Sequence, residues 1–169
     1  MTEWDLTPRP IADSQVVLAE MMNIADTNVA GIVHGGTIMK LVDTAAGLAA
    51  IKHSGGMCVT VSLDEMTFLA AVHVGDVVTV KASVNDVGTT SLEVGVRVEA
   101  ENYVRGDRVH TSSAYLVFVA LDERGRPRPV PPVIPRTDDE RRRQREAKLR
   151  REVRLAHKLA IAEGRSAGA

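Results

Sequence analysis

The chain has 169 residues, 44% hydrophobic and 25% charged, with a formal net charge of −1. That length is enough for one domain with a real core, with or without an appendage, and no apolar run reaches the roughly 18 residues that span a bilayer. The single Cys58 excludes an internal disulfide, and His34, His53, His73, His110 and His157 show no His/Cys ligand spacing, so no metal is expected.

No charged-then-apolar leader opens the sequence, so the expectation is a soluble, unexported, cytoplasmic protein with no membrane partner. The near-neutral charge hides a split. Residues 1–125 carry 8 Lys/Arg against 16 Asp/Glu, and residues 126–169 carry 13 against 6. An acidic body and a basic tail point to different jobs for the two parts.

Residues 1–13, with Pro8 and Pro10, read as an extended lead-in, and the apolar run from Ser14 to Met22 as a strand. Asp26, Thr27, Asn28 and Gly31 form a loop, which the pair Gly35-Gly36 turns tightly into a helix. From Gly36 or Thr37, Ile38, Leu41, Val42, Ala45 and Ala49 recur at three- and four-residue spacing. Met39, Asp43, Ala46, Gly47 and Ala50 fall on an adjacent face. Gly55-Gly56 stop the helix.

Asp43 is the odd member of that helix. A carboxylate two turns into an apolar helix costs several kcal/mol if buried alone, on the order of the penalties for unpaired charge. Either its face meets water or a ligand, or a neighbour hydrogen-bonds it; simple solvation is the plain alternative. The glycine pair exposes amide N–H groups at the helix start, where developing negative charge is favoured. Asp43 lies seven residues beyond Gly36, roughly 10 Å along the axis. That is too far for both to touch one reacting atom within a single subunit without an intervening group, and it suits a site shared between two copies of the chain.

Beyond the helix the period changes. Val59, Val61 and Leu63 alternate with Cys58, Thr60, Ser62 and Asp64. Val78, Val80, Ala82 and Val84 alternate with Thr79, Lys81 and Ser83, and Leu92, Val94, Val96 and Val98 with Glu93, Gly95, Arg97 and Glu99. Arg108 to Leu121 is a fourth run. Turn signals at Gly75-Asp76, Gly88 and Gly106-Asp107 separate them, which predicts an antiparallel meander or a close relative with the helix across it. Five of the seven prolines fall between Pro127 and Pro135, arguing against regular structure there. Thr137-Asp-Asp-Glu140 is a capping-box pattern that opens a charged helix. Its thin apolar stripe of Leu149, Val153, Ala156 and Ala160 predicts contact with the body or a partner. Arg141-Arg-Arg-Gln-Arg145 has no interleaved aromatic and no surrounding binding module, so nucleic acid is not expected; contact with phosphates of a small ligand stays open.

In order and with compatible spacing, Asp26-Thr-Asn-Val-Ala-Gly31, His34-Gly-Gly36, Leu41-Val-Asp43, Val59-Thr-Val-Ser-Leu-Asp64 with Phe68, Val74-Gly-Asp76, Gly88-Thr-Thr-Ser91, Phe118-Val-Ala-Leu-Asp122 and Val130-Pro-Pro resemble the acyl-CoA thioesterase branch of the hotdog-fold superfamily. The similarity spans roughly residues 10–135. It implies an α+β hotdog fold, an antiparallel sheet wrapped around one long helix, with a hotdog domain at 10–126 and a Pro-rich linker and basic helix at 127–169. It also implies a homodimer that pairs two sheets, a trimer of dimers above it, and thioester sites at the dimer interface.

The activity implied is hydrolysis of fatty acyl-CoA to fatty acid and coenzyme A, the coenzyme being part of the substrate and no cofactor being needed. By the same resemblance Asp43 is general base or nucleophile, Asn28 positions water or substrate, and helix-start amides at Gly35 and Gly36 polarise the thioester carbonyl. His34 either assists or only orients the loop. Thr60 is a candidate near the thioester, or an ordinary strand threonine; Ser91 is a coenzyme contact, or part of a hairpin. Two alternatives stand beside this reading: a non-catalytic acyl-CoA-binding or sensing module, and a hotdog hydratase or dehydratase. No Gly-x-Ser-x-Gly elbow supports a serine hydrolase.

Overall fold

The computed structural model of the chain describes residues 4–167. In chain order the elements are β1 (Arg9–Pro10), β2 (Val16–Met21), α1 (Gly35–Ser54), β3 (Cys58–Phe68), β4 (Val77–Val87), β5 (Ser91–Asn102), β6 (Asp107–Ala120), β7 (Val133–Ile134) and α2 (Asp138–Ala167). The lead-in is not plain extended chain, because Ile11–Ser14 form a 3-10 turn ahead of β2.

Five strands make one antiparallel sheet in the order β2-β4-β5-β6-β3. The three hairpin-linked strands β4, β5 and β6 form the expected meander, whereas β3 joins β6 rather than its sequence neighbour β4. The chain crosses beneath the sheet to get there, a long-range pairing that no local turn signal encodes.

One face of the sheet is the core. Val78, Val80, Val84, Leu92, Val94, Val98, Leu116 and Phe118 point from it onto α1 and are buried. From α1, Ala45, Ala46, Ala49 and Ala50 are fully buried, and such small side chains let helix and sheet approach closely. The second helical face therefore divides: Ala46 and Ala50 belong to the core, while Met39 and Asp43 are exposed. Gly55 closes α1 at φ +75°, with its amide donating to Ile51 O at 2.8 Å.

β3 departs from its expected alternation. Val59, Val61 and Leu63 are exposed, not core, because β3 is an edge strand and two register shifts, at Thr60/Ser62 and Leu63/Glu65, break the period of two.

The proline-rich segment holds a little regular structure after all. Val133 and Ile134 pair in parallel with Arg9 and Pro10, and the proline-rich side is used as an acceptor there, with Arg9 N–H donating to Pro132 O at 2.9 Å. His53 Nε2 lies 2.9 Å from Pro131 O, and Arg128, itself buried, donates to Ser54 O, Leu121 O and Pro129 O. The segment is thus tied to the end of α1.

α2 opens with the expected capping box: Glu140 N–H donates to Thr137 Oγ1, and Glu140 Oε2 accepts from Thr137 N–H. The helix then runs over the outer face of the sheet. Gln144 donates to Asp86 on β4, Arg150 to Glu93 on β5, and Arg154 pairs with Asp64 on β3. Arg150 also lies over the Tyr115 ring on β6, 3.6 Å from its centroid. The contact with the body is made by these polar residues and Ala147, whereas Leu149 and Val153 remain exposed. Opposite charges within one chain account for the split between acidic body and basic tail.

Candidate active site

The loop before α1 is built by side chains acting on backbone. Asn23 and Asp26 form a reciprocal cap, with Ala25 N–H donating to Asn23 Oδ1 and Asn23 N–H donating to Asp26 Oδ2. Asn28 Oδ1 accepts from Ala30 N–H at 2.9 Å, an Asx turn that leads into Gly31 at φ +77°. The turn uses Asn28 Oδ1 and leaves its Nδ2 donors for a ligand. Asn28 lines a cavity of about 380 Å3 with Gly35, Ile38, Phe68 and Ser112.

His34 is the N-cap of α1. Its Nδ1 accepts from Gly36 N–H at 2.8 Å, which puts the ring proton of the neutral imidazole on Nε2. Position 36 must be glycine for this, since a Cβ there would fall 2.8 Å from the same Nδ1. Gly36 N–H is engaged by the cap, and Gly35 is the helix-start glycine that lines the cavity with Asn28. Of the two roles open to His34, orienting the loop is the one its hydrogen bond performs.

Asp43 and Thr60 meet. Thr60 Oγ1 donates to Asp43 Oδ1 at 2.7 Å, across 17 residues of sequence. Helix α1 supplies the carboxylate, and β3 brings the hydroxyl at its first register shift. The hydrogen bond fixes one carboxylate oxygen and leaves Oδ2 free. Both residues are exposed, as are Met39 on α1 and Met57 and Val61 close to Thr60 in sequence, and β3 is an edge strand of the sheet, while Val59, opposite Val119, lies on the other face of β3. Exposed apolar side chains on an edge strand are features of an interaction surface.

The chain brings its candidates into two groups. Asn28, His34, Gly35 and Gly36 gather at the helix start, Asp43 and Thr60 lie farther along α1, and the cavity of the first group is lined by neither member of the second. Ser91 joins neither. It lies at the β4–β5 turn in a narrow crevice with Gly88, Arg151 and Arg154, where its carbonyl accepts from Gly88 N–H at 2.7 Å. Arg151 packs so closely on Gly88 that a Cβ there would fall 2.5 Å from its Nη1. These two arginines beside Ser91 are not individually legible in the sequence; only the basic run hints at them. Cys58 is buried, and burial pushes its thiol pKa up, which disfavours the thiolate a nucleophile needs. Among the described residues no cluster of His, Cys, Asp or Glu has the arrangement to hold a metal, and no helix is long and apolar enough to cross a membrane.

One long helix laid against a five-stranded antiparallel sheet, with a polar pair on the uncovered helix face, defines a hotdog-fold protein. The family model described as Thioesterase superfamily matches residues 30–105. The chain is 38% identical over 128 residues to the "Uncharacterized acyl-CoA thioester hydrolase YkhA" of Bacillus subtilis (strain 168), covering 76% of this chain and 74% of that one. It is 34% identical over 145 residues to the cytosolic acyl coenzyme A thioester hydrolase of Mus musculus, covering 85% of this chain but 38% of that protein, so it spans little more than a third of that relative's length. A crystal structure of an apo-hexameric acyl-CoA thioesterase superposes with a TM-score of 0.86 at 36% identity, covering 89% of this chain and 97% of the other. The chain belongs to the hotdog-fold acyl-CoA thioesterase family.

Proposed function

We propose that the chain hydrolyses fatty acyl-CoA thioesters to the free acid and coenzyme A. The observation that carries this reading is the Thr60–Asp43 hydrogen bond on an exposed helix face. As general base, Asp43 takes a proton from a water whose oxygen bonds to the thioester carbonyl carbon, the C–S bond breaks, and that proton goes to the departing coenzyme A thiolate. As nucleophile, Asp43 bonds to the same carbon as the C–S bond breaks, and water then cleaves the resulting anhydride to the acid and free Asp43. Thr60 holds the carboxylate in one rotamer. Asn28 Nδ2 orients water or substrate, and Gly35 N–H stabilises the oxyanion.

The two groups work together across a homodimer interface, with Asn28 and Gly35 of one subunit opposite Asp43 and Thr60 of its partner. Support comes from the separation of the groups within the chain, from the uncovered β3 edge, and from the hexameric state of the structural relative. A trimer of such dimers is the assembly proposed. Residues 10–126 form the hotdog unit, and 127–169 the linker and docked helix. The single free cysteine fits a reducing cytoplasm as the place of action.

The test is free-thiol release from acyl-CoAs of graded length, wild type beside Asp43→Asn. Release that collapses in the variant, with acyl-CoA still bound, supports the hydrolase and its base. Wild-type turnover in a folded Asp43→Asn protein would falsify the assignment, and full activity from a monomer would sink the shared site.

A further inference from the structure

On the outer face of the sheet, between β4, β5 and the first half of α2, lies an open cavity of about 400 Å3 whose lining includes none of Asn28, Asp43 and Thr60. Lys81, Arg97, Arg142 and Arg143 line it against the single carboxylate of Glu146. Lys81 and Arg97 share one further carboxylate, Glu99, with Arg108, at 2.7, 2.9 and 2.8 Å. Three cations on one acid leave positive charge over. Arg142 is paired with Asp139 and Glu146, but Arg143 makes no salt bridge among the described residues, and its Nε is buried without a hydrogen-bond partner.

A second unmet group lines the same cavity. The β4–β5 register passes from Val84↔Val94 to Asp86↔Glu93, so Asn85 is the extra residue of a bulge. Bulges re-aim side chains, and this one turns two consecutive residues outward: Asp86 toward Gln144 on α2 and Asn85 toward Glu93. Asn85 is only 1% exposed. Its Nδ2 donates to Glu93 Oε1 at 3.1 Å, and because an ionised carboxylate only accepts, the amide orientation follows and Oδ1 is left over. Oδ1 has no partner. The amide lies this close to β5 only because residue 95 is glycine, where a Cβ would fall 2.6 Å from Nδ2. A buried donor and a buried acceptor, both unmatched and both on residues lining one cationic cavity, call for an occupant with the complementary groups.

We propose that this cavity is a second ligand site, for a small phosphate-bearing molecule whose own O–H or N–H donates to Asn85 Oδ1 while Arg143 and its cationic neighbours hold the phosphate. The apolar surface of Val17 and the Tyr115 ring in its lining suits a compact sugar or ring between those two ends.

The experiment is calorimetric titration of the full chain with inorganic phosphate, ribose 5-phosphate and ribose, with the cavity variants serving to separate this site from the thioester site. Ribose 5-phosphate is expected to bind saturably and at least tenfold more tightly than phosphate, with no heat from ribose. Arg143→Gln should weaken both phosphate ligands at least tenfold, whereas Asn85→Ala should weaken ribose 5-phosphate and spare inorganic phosphate. If Asn85→Ala does not fold, the Arg143→Gln comparison decides alone, since that side chain is only part-buried on α2. No saturable binding to the wild type, or equal binding to Arg143→Gln, overturns the proposal.

Discussion

Replacing Arg150 with Met tests how α2 is held to the sheet. Arg150 Nη2 and Nε reach the two oxygens of Glu93 at 2.6 and 3.3 Å, and the side chains are 21% and 6% exposed. That burial takes the pair out of the range of surface bridges, worth about 0–1 kcal/mol, toward that of buried pairs, where removing one partner costs about 3–5 kcal/mol. Asn85 still donates to Glu93 in the variant, so the orphaned carboxylate keeps one partner and the lower end applies. Loss of the stacking on Tyr115 adds about 0.5–1 kcal/mol, for a total of roughly 3.5–4 kcal/mol. With a urea dependence of about 1–3 kcal/mol per molar, the unfolding midpoint should fall by roughly 1–4 M. Far-UV circular dichroism at matched protein concentration reads it. In a double-mutant cycle, Glu93→Gln should cost less than about 1 kcal/mol once Arg150 is already Met. A midpoint within 0.2 M of wild type for Arg150→Met would refute the claim that this pair, rather than general packing, docks the helix.

Thr60→Val removes the hydroxyl but keeps the shape. A hydrogen bond to a charged group is worth about 1.5–3 kcal/mol, so thiol release should fall roughly 10- to 100-fold in kcat/KM, with Thr60→Ser restoring most of it; unchanged kinetics in Thr60→Val would remove Thr60 from the site. Gly36→Ala should displace the His34 cap, lowering stability by about 1 kcal/mol and activity with it, as thermal unfolding and thiol release would report. Burial pushes His53 below its ordinary pKa of 6.5, so the folded state resists a proton that the unfolded chain accepts. Stability is therefore full above about pH 6.5 and declines by up to about 1.4 kcal/mol per pH unit as pH falls from there toward the folded value. Denaturation at pH 5.5 and 7.5 should show that slope in wild type and a flatter one in His53→Asn.

Much of the fold is legible because its signals are local. Gly55, the Thr137–Glu140 box and the alternation of Val78 to Val84 each act within a few residues, and each stands where the pattern puts it. What the sequence hides is non-local. Val59, Val61 and Leu63 look like a core face, but whether an alternating strand is central or at the edge depends on topology, and β3 pairs with β6 rather than with its neighbour. Thr60 and Asp43 are each recognisable as candidates, yet nothing within either segment announces a contact 17 residues apart. In α2 the apolar stripe of Leu149 and Val153 does not make the contact with the body, so of its two expected uses contact with a partner is the one left. The docking face is polar because the sheet gathers Asp86, Glu93 and Asp64 from three strands into the helix's path.

That polar docking bears on how the chain matures. During synthesis α2 emerges after every strand of the sheet. The acids awaiting it are comfortable in water in the meantime, as an apolar groove would not be. The nascent body can close its core with its outer face hydrated, repelling other unfinished copies through its surplus of carboxylates until its own arginines arrive.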